Sequence, residues 1–427
     1  MTDILLVGSG GREHALALKI SQSSGVGKIY ASPGNPGMHY MGVECLPYKA
    51  IQIPELAAFA EKNHCFTVVG PGDPLAEGIV DVFDGRDLPI FGPTAAAARL
   101  ESSKAYAKGV MDRGGVPTAR YCPFTDRDKA RDYAQKNYDS GIVVKASGLA
   151  LGKGAIVCDT IEEAYDAIDR MLVKKEFGKA GEVVVVEQRL RGPEVSAMAL
   201  VDSETIMHFP LAQDYKPQLN GDKGPNTGGM GSYSPVPIAS DDDIDGICEA
   251  VSSTMLAMED EDPFTGVAYG GFMLTSDGPK VLEYNVRFGD PETQPLMMRT
   301  KSDMLEVLMA CAENRLCGDL DIDPRAAVCV VLASRGYPGK PDTGHPITGI
   351  DEAKSILGPG GEVFHAGTKL VDGVLVNSGG RVLGVTALGD TIEKAADLAY
   401  AAAERINFEG KYMRTDIGRK VLERGRA

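Results

Sequence analysis

Short apolar runs alternate with helical patterns along residues 1–101. The runs DILLVG (3–8), 27–31, FTVVG (66–70) and LPIFG (88–92) each lead into a turn rich in glycine or proline. Apolar strands that pass through such turns into helices are typical of an open parallel sheet, whose ligands lie at the carboxyl ends of the strands. The pattern therefore predicts an N-terminal parallel α/β domain with a ligand near its glycine loops.

Residues 102–325 follow an α+β pattern that contains a small lobe at about 124–190. We predict helices at 102–112, 126–137, 161–173, 241–259 and 303–314. We predict strands at 116–121, 142–145, 155–158, 182–190, 193–213 (two strands), 266–274 and 279–288. Between them, residues 214–237 are predicted to form a long polar loop, and such a loop inside a compact domain is more often functional than idle.

Residues 326–427 favour a small β-rich domain. The strand AAVCVVLAS is followed by a predicted meander with a D-G turn at 372–373 and a G-G turn at 379–380, and by a helix at 391–407. Such dipeptides between alternating runs are strong hairpin signals.

Composition narrows the class of protein without naming a reaction. The chain has 43% hydrophobic and 24% charged residues, a globular balance, and a net charge of −16, which disfavours nucleic acid and anionic membranes as partners. Its eight cysteines form no C-x-x-C pair, and most lie in apolar patterns. The expectation is a cytoplasmic protein with reduced thiols, no membrane span and a monomeric state.

The run VLEYNVRF, residues 281–288, carries two different faces if it is a strand. One face is apolar and consists of Leu282, Tyr284, Val286 and Phe288. The other presents Glu283, Asn285 and Arg287, and Asp290 and Glu292 follow directly. Carboxylate and amide oxygens two residues apart suit Mg²⁺, and Arg287 suits a phosphoryl group. A solvent-facing polar face on an edge strand is the alternative.

Two glycine-rich segments suit a charged substrate. In VVKASGLALGKG, residues 143–154, Lys145 and Lys153 flank a loop whose glycines let backbone N–H groups approach phosphate oxygens, although the P-loop pattern is missing. The segment 214–233 could close over a substrate and exclude water. A glycine-rich hairpin and a mobile surface loop are the respective alternatives.

The segment GSGGREHA, residues 8–15, resembles a dinucleotide fingerprint only in part. The third glycine of that motif would fall at Glu13, and the second strand ends in Ala31-Ser32-Pro33, with no acid for a ribose hydroxyl. NAD is therefore not expected, whereas a phosphate at the helix N-terminus stays open.

Taken in order, these motifs resemble the ATP-grasp superfamily and, within it, the phosphoribosylamine–glycine ligase family. The resemblance covers nearly the whole chain. It is carried by GSGGREHAL, SPGNPG, VVGPGDPL, FGPT, ESSKAYAK, VVKASGLALGKG, QDYK, GPNTGGMGSYSP, EYNVRFGDPETQP, FHAGTK and RTDIG.

The resemblance implies a role for each matching residue. Lys104, Lys145 and Lys153 would contact the ATP phosphates. The hinge VVEQRL would hold adenine through its backbone around Glu187 to Leu190, and Glu194 would bind the ribose hydroxyls. Mg²⁺, or Mn²⁺ in its place, would be held by Glu283 and Asn285. The phosphoribosylamine site would be shaped by Gly10, Gly11, Asn35 and Asp73. Glycine and the reacting centre would be surrounded by Asp214, Lys216, Arg287 and Asp290.

The implied reaction joins glycine to 5-phosphoribosylamine with ATP, through glycyl phosphate, in purine biosynthesis. A central ATP-grasp domain with a mobile lobe (about 124–190), closing together with the 214–233 loop, would keep water from the acyl phosphate. The strand GVAYGGFML lacks the second acidic ligand of many superfamily members, so ligands for one cation are expected.

Three alternatives remain at this point. Another ATP-grasp carboxylate–amine ligase would release ADP with a different acid. An NAD-dependent oxidoreductase would bind nicotinamide cofactor, which the broken fingerprint argues against. A non-catalytic nucleotide-binding regulator would tolerate Glu283→Ala without any change in activity.

Overall fold

The computed structural model describes residues 1–139, 141–150 and 154–419, so Lys153 lies outside the described residues. Within these ranges, every helix is too short or too polar to cross a lipid bilayer.

The N-terminal strands form one parallel sheet in the order β3-β2-β1-β4-β5, which confirms the predicted architecture. The strands are β1 (Thr2–Gly8), β2 (Val26–Pro33), β3 (Glu44–Cys45), β4 (Phe66–Val69) and β5 (Ile90–Phe91). The helices are α1 (Gly11–Ser21), α2 (Pro36–Tyr40), α3 (Ile53–Asn63), α4 (Gly72–Ala76), α5 (Ile79–Asp84) and α6 (Arg99–Ser102). Residues 4–7 are fully buried because helices cover both faces of the sheet.

The small lobe is an antiparallel sheet in the order β6-β9-β7-β8, with two helices packed on it. Its elements and the preceding helix are α7 (Lys104–Arg113), β6 (Tyr121–Phe124), α8 (Arg127–Lys136), β7 (Ile142–Ala146), β8 (Ala155–Cys158), α9 (Ile161–Leu172), a 3₁₀ turn (Gly178–Gly181) and β9 (Val184–Gln188). The predicted strand at 116–121 is wrong. Pro117 lacks an N–H group, and Thr118 makes only an isolated bridge to Val281 before β6 begins.

A second antiparallel sheet, in the order β11-β10-β16-β17, carries the run 281–285. The elements of this part of the chain are β10 (Glu194–Val201), β11 (Ile206–His208), β12 (Gln213–Asp214), β13 (Pro217–Leu219), β14 (Lys223–Asn226), β15 (Gly231–Ser234), α10 (Asp241–Leu256), β16 (Gly266–Thr275), β17 (Gly278–Asn285), α11 (Thr293–Arg299) and α12 (Met304–Ala312).

The predicted loop at 214–237 contains regular structure instead. β13 and β14 pair as a hairpin, and β12 and β15 join the sheet of the C-terminal region. Polar GSYS of β15 is buried because its hydroxyls have partners: Ser232 donates to the carbonyl of Pro291, and Ser234 to that of Leu211. The prediction of a loop at 214–237 is therefore wrong, because it relied on side-chain polarity alone.

The C-terminal region contributes β18, β19 and β22 to an antiparallel sheet in the order β12-β15-β18-β22-β19. The strands β12 and β15 come from the preceding part of the chain. Its elements are β18 (Ala326–Ala333), α13 (Ile350–Leu357), a 3₁₀ turn (Gly358–Gly360), β19 (Gly361–His365), β20 (Thr368–Val371), β21 (Val374–Asn377), β22 (Arg381–Gly389) and α14 (Ile392–Ala403). The D-G turn is confirmed, since Asp372 and Gly373 both have positive φ (49° and 79°) and join β20 to β21. The G-G hairpin is wrong, because β22 pairs with β18 and β19.

Two buried histidines join the first and last regions of the chain. The backbone N–H of His365 donates to Nδ1 of His14 over 2.8 Å, and the His365 ring bonds Thr368 Oγ1 at 3.1 Å. Burial lowers the pKa of His365 to about 4, and burial followed by the neighbouring His365 lowers the pKa of His14 well below its usual value. Both rings are therefore neutral in the native protein at neutral pH.

These histidines are expected to make the protein less stable as the pH falls from about 6.5 toward 4. In that window the histidines are protonated in the unfolded chain and neutral in the native protein. The free energy of unfolding therefore falls by up to about 1.4 kcal/mol per pH unit for each ring. Asp214 opposes the effect, because its pKa is raised to about 7 in the native state. Urea unfolding of wild type and His365→Gln between pH 5 and pH 7 isolates the contribution of His365. The variant should show a shallower dependence, whereas exposed His64→Gln should not; equal slopes would contradict the assignment.

Candidate active site

Strand β17 presents the predicted metal face through the pleat of residues 283–286. Tyr284 and Val286 are each 2% exposed and point into the core, while Glu283 and Asn285 are half-buried on the other side. Leu282 does not join the core face as predicted. Gly271 pairs with Glu283 and Phe272 with Val281, so Leu282 is an extra residue in a bulge, and its carbonyl accepts a bond from Lys145 Nζ at 3.0 Å.

Arg287 lies just beyond the end of β17, which stops at Asn285 and not at 288 as predicted. Its guanidinium donates to Asn285 Oδ1 at 2.9 Å and pairs with Glu101 at 3.2 Å. Glu101 also accepts the backbone N–H of Val286 at 2.9 Å. Glu101, in α6, was not among the predicted site residues; its position directly before the Ser-Ser-Lys segment is the signal that could have found it.

The charges of four cationic side chains act on Glu283. Burial of this carboxyl opposes ionisation, but the charges of Lys104, Lys145, Lys216 and Arg287 together hold its pKa below the ordinary value. These predicted residues therefore lie near enough for their charges to act on one ionised carboxylate. Such a charge arrangement suits a polyanionic substrate with a cation.

The donor set at Glu283 and Asn285 fits a hard divalent cation, since both offer oxygen atoms. Throughout the residues that the structure describes, no cluster of three or more His, Cys, Asp or Glu side chains has the geometry of a metal site. Two oxygen donors would leave the rest of a cation's shell to phosphate oxygens and water, which Mg²⁺ commonly keeps.

Lys145 takes part in a buried ionic triad. Its Nζ lies 2.5 Å from Oε1 of Glu187, and Nζ of Lys108 lies 2.8 Å from Oε2 of the same carboxylate. Burial alone would raise the pKa of Glu187, but the two ammonium groups lower it. Lys108 is only 2% exposed and was not predicted as a site residue. Beyond the triad, Leu190 follows β9 and is half-buried.

Lys216 bridges two predicted residues. Its Nζ lies 2.9 Å from Glu194 and 3.8 Å from Asp214. Burial raises the pKa of Asp214 to about 7, helped by the charges of Glu292 and Glu194 and opposed by Lys216. A carboxyl group shifted in this way is common at functional sites.

Glu292 forms a buried polar cluster that sequence reasoning did not include among the site residues. It is 2% exposed and accepts hydrogen bonds from Ser196 Oγ at 3.1 Å and from the Tyr269 hydroxyl. Ser196 and Tyr269 lie on β10 and β16, so only the pairing of these strands brings them to Glu292. The negative charge of Glu292 raises the pKa of Asp214, so this cluster lies close to the site.

Asp290 joins all three parts of the chain. Its carboxylate lies 3.3 Å from Nη2 of Arg381, and its backbone carbonyl accepts from Nη1 of the same residue at 2.6 Å. A methyl group on Gly10 would lie 3.3 Å from Oδ2 of Asp290, and one on Gly11 would lie 2.6 Å from Nε2 of Gln294. The first glycine loop therefore packs directly on the turn that follows β17.

The N-terminus of α1 is already occupied by the chain's own anion. The N–H of Gly10 donates to Oε2 of Glu13 at 2.6 Å, and Arg12 pairs with Oε1 at 2.6 Å. A phosphate bound at this helix N-terminus would therefore have to compete with the carboxylate of Glu13. Arg12 also donates to the carbonyl of Phe288 at 3.0 Å, which again ties the loop to the site.

Asn35 and Asp73 lie at the edge of this junction. The Asn35 amide donates to the carbonyls of Ser9 and His365, both at 2.9 Å, and its oxygen caps α2, so its side chain is occupied structurally. Asp73 is exposed in the first turn of α4. Its neighbour Gly72 faces Glu101, since a methyl group there would lie 3.1 Å from that carboxylate.

Family models match the chain along almost its whole length. They describe the N domain, the ATP-grasp (A) domain and the C domain of phosphoribosylglycinamide synthetase, over residues 2–101, 102–293 and 327–420. The fold and the site thus define an ATP-grasp ligase, which implies ATP and a divalent metal ion as cofactors.

Whole-chain relatives agree with this class. Phosphoribosylamine–glycine ligases of Rhodopirellula baltica and Ralstonia nicotianae are each 47% identical, over 98% of this chain and 98% of the first, and over 99% of this chain and all of the second. The crystal structure of the Thermotoga maritima phosphoribosylamine–glycine ligase superposes with a TM-score of 0.84 at 34% identity, covering 97% of this chain and 100% of that one.

The chain belongs to the phosphoribosylamine–glycine ligase family. It is an ATP-dependent ligase that joins glycine to phosphoribosylamine in purine biosynthesis, and its substrates are small molecules. The resemblance inferred from the motifs is confirmed, and the oxidoreductase and the non-catalytic regulator are set aside.

Proposed function

We propose that the chain activates glycine as glycyl phosphate. A carboxylate oxygen of glycine attacks the γ-phosphorus of ATP, and ADP leaves. The amine of phosphoribosylamine then attacks the acyl carbon and loses a proton, and phosphate leaves with one oxygen that came from glycine. The observation that carries this proposal is the positive charge beside Glu283: Arg287 donates to Asn285 Oδ1 at 2.9 Å and Lys145 to the carbonyl of Leu282 at 3.0 Å. Such charge matters because a carboxylate can approach a triphosphate only where their mutual repulsion is screened.

Glu283 and Asn285 are proposed to hold Mg²⁺, or Mn²⁺ in its place. When bound, the cation would neutralise charge on the phosphate oxygens. Arg287 already contacts the Asn285 oxygen at 2.9 Å, so it stands beside the same centre and can stabilise the charge of the transferring phosphoryl group.

ATP is proposed to lie between the small lobe and β17. Lys104 and Lys145 would contact its phosphates, as would Lys153, and the hinge from Glu187 to Leu190 would hold adenine. The Glu187 side chain is engaged by two lysines, which favours adenine contacts through the hinge backbone. Glu194 would reach the ribose hydroxyls by exchanging its bond to Lys216.

The acceptor and glycine are proposed to meet at the junction around Asp290. Gly10, Gly11, Asn35 and Asp73 would shape the phosphoribosylamine site on one side. Asp214, Lys216, Arg287 and Asp290 would surround glycine on the other. The packing of the Gly10 loop against the Asp290 turn supports this, since it puts the two proposed half-sites in contact.

The chain is further proposed to divide into domains at 1–101, 102–325 and 326–427, with a closing lobe at about 124–190. The boundaries of the family models support the first and last divisions. A reducing cytoplasm is proposed as the compartment, which the unpaired state of all eight cysteines supports.

Isotope transfer tests the proposed intermediate. With glycine labelled by ¹⁸O in its carboxylate, ATP and phosphoribosylamine, the released phosphate is expected to carry one labelled oxygen per turnover, measured by mass spectrometry. Unlabelled phosphate would overturn the acyl phosphate route. Alanine and serine in place of glycine serve as the substrate controls, and faster ADP release with either would overturn glycine as the preferred acid.

A further inference from the structure

The buried Lys108 has no part in the function proposed so far. It lies on α7, is 2% exposed, and donates to Thr118 Oγ1 at 2.6 Å in addition to its ion pair with Glu187. A fully buried ammonium group is costly unless its partners compensate it. Packing alone does not explain a lysine here, because an apolar side chain of similar length would avoid that cost.

The triad of Lys108, Glu187 and Lys145 carries two positive charges and one negative charge. Glu187 divides its carboxylate between them, with Oε1 at 2.5 Å from Lys145 and Oε2 at 2.8 Å from Lys108. Without Lys108, the remaining Glu187 and Lys145 would form a neutral pair, with Lys145 as the one partner of that carboxylate left among the described residues. Lys108 therefore keeps a net positive charge at the phosphate side of the site.

A second series of contacts connects Lys108 to strand β17, which carries Glu283. Thr118 accepts from Lys108 and donates its own hydroxyl to the carbonyl of Val281 at 2.7 Å, while Lys145 donates to the next carbonyl, that of Leu282. These carbonyls belong to the bulged residue Leu282 and to the residue before it, immediately ahead of Glu283. Lys108 and Lys145 thus hold the bulged segment from neighbouring points.

We propose that Lys108 is a positioning residue for the phosphate site: it shares Glu187 so that the Lys145 ammonium group can exchange this carboxylate for nucleotide phosphate, and through Thr118 it fixes the strand that carries Glu283. The proposal rests on the proposed contact between Lys145 and the ATP phosphates. Lys108 itself touches no substrate in this scheme.

Steady-state kinetics and ADP titration of the full chain test the proposal. Lys108→Met should raise the KM for ATP and the Kd for ADP by roughly tenfold or more, since Glu187 then holds Lys145 alone, with the KM for glycine unchanged. Adding Glu187→Gln to this variant removes the competing carboxylate and should return both values to within about threefold of wild type. Arg113→Met, on the exposed side of the same helix, should behave as wild type.

The outcomes separate the inference from the function on which it rests. If Lys145→Met leaves the Kd for ADP unchanged, the proposed role of Lys145 fails. If Lys145→Met weakens ADP but Lys108→Met does not, or if Glu187→Gln gives no rescue, the positioning role of Lys108 is overturned. Lys108→Gln keeps a donor for Glu187 and Thr118 without the charge, and it replaces Lys108→Met should that variant not fold.

Discussion

Glu283→Ala is expected to lower the rate of ADP formation roughly a thousandfold, the effect of several kcal/mol of lost transition-state stabilisation. The variant removes the carboxylate proposed to bind the cation, and with it the negative charge that Lys104, Lys145, Lys216 and Arg287 stabilise. The loss should appear with saturating glycine and phosphoribosylamine. Raising the concentration of Mg²⁺ or Mn²⁺ should recover part of it if Asn285 still provides a ligand.

A matched control lies in the same sheet. Asp277 sits in the turn between β16 and β17, where it pairs with Lys280 and contacts Ser276 at the surface, so Asp277→Ala should retain wild-type activity. ADP release measured by a coupled assay gives the comparison. A Glu283→Ala enzyme that works at a rate near wild type would remove Glu283 as a metal ligand.

Arg287→Lys is expected to lower kcat roughly a hundredfold while the KM for ATP changes little. The guanidinium contacts Glu101, the Asn285 oxygen and the carbonyl of Phe288 at 3.2, 2.9 and 3.0 Å. A lysine keeps the charge but cannot hold these directions together, so charge on the transferring phosphoryl group would be met by a misplaced cation. The expected loss is therefore in the chemical step.

Single-turnover measurements distinguish this from a binding defect. The rate of phosphate formation after rapid mixing should fall with kcat, while ADP titrations give the wild-type Kd. Arg315→Lys, at an exposed position that pairs with Glu306 and Glu313, provides the same change of side chain without an expected effect. A kcat within about twofold of wild type would show that Arg287 has no special role in the chemistry.

Local alternation was enough to predict the face of Glu283 and Asn285, because the pleat of a strand depends on consecutive residues. The same rule failed at Leu282, since a bulge depends on the register of the partner strand β16. The parallel direction of the N-terminal strands was also predictable, because apolar strands that alternate with helices favour a parallel sheet.

Long-range pairing explains the residues that were missed. Lys108 and Glu187 are far apart in sequence, and only the docking of α7 on the small lobe makes them partners. Arg381 meets Asp290 because the C-terminal region packs on the turn after β17. Polar β15 was assigned to a loop because its hydroxyl partners, the carbonyls of Pro291 and Leu211, are distant in the chain.

The sheet β12-β15-β18-β22-β19 has a consequence for how this enzyme can be cut or recombined. Because β15 supplies the neighbour of β18, a fragment that starts at 326 would begin with a strand whose outer row of N–H and C=O groups is bare. Such a fragment is expected to self-associate when produced alone and to become monodisperse only when a piece containing Gly231–Ser234 is supplied. Swapping the C-terminal region between relatives should therefore succeed only if this short strand travels with it.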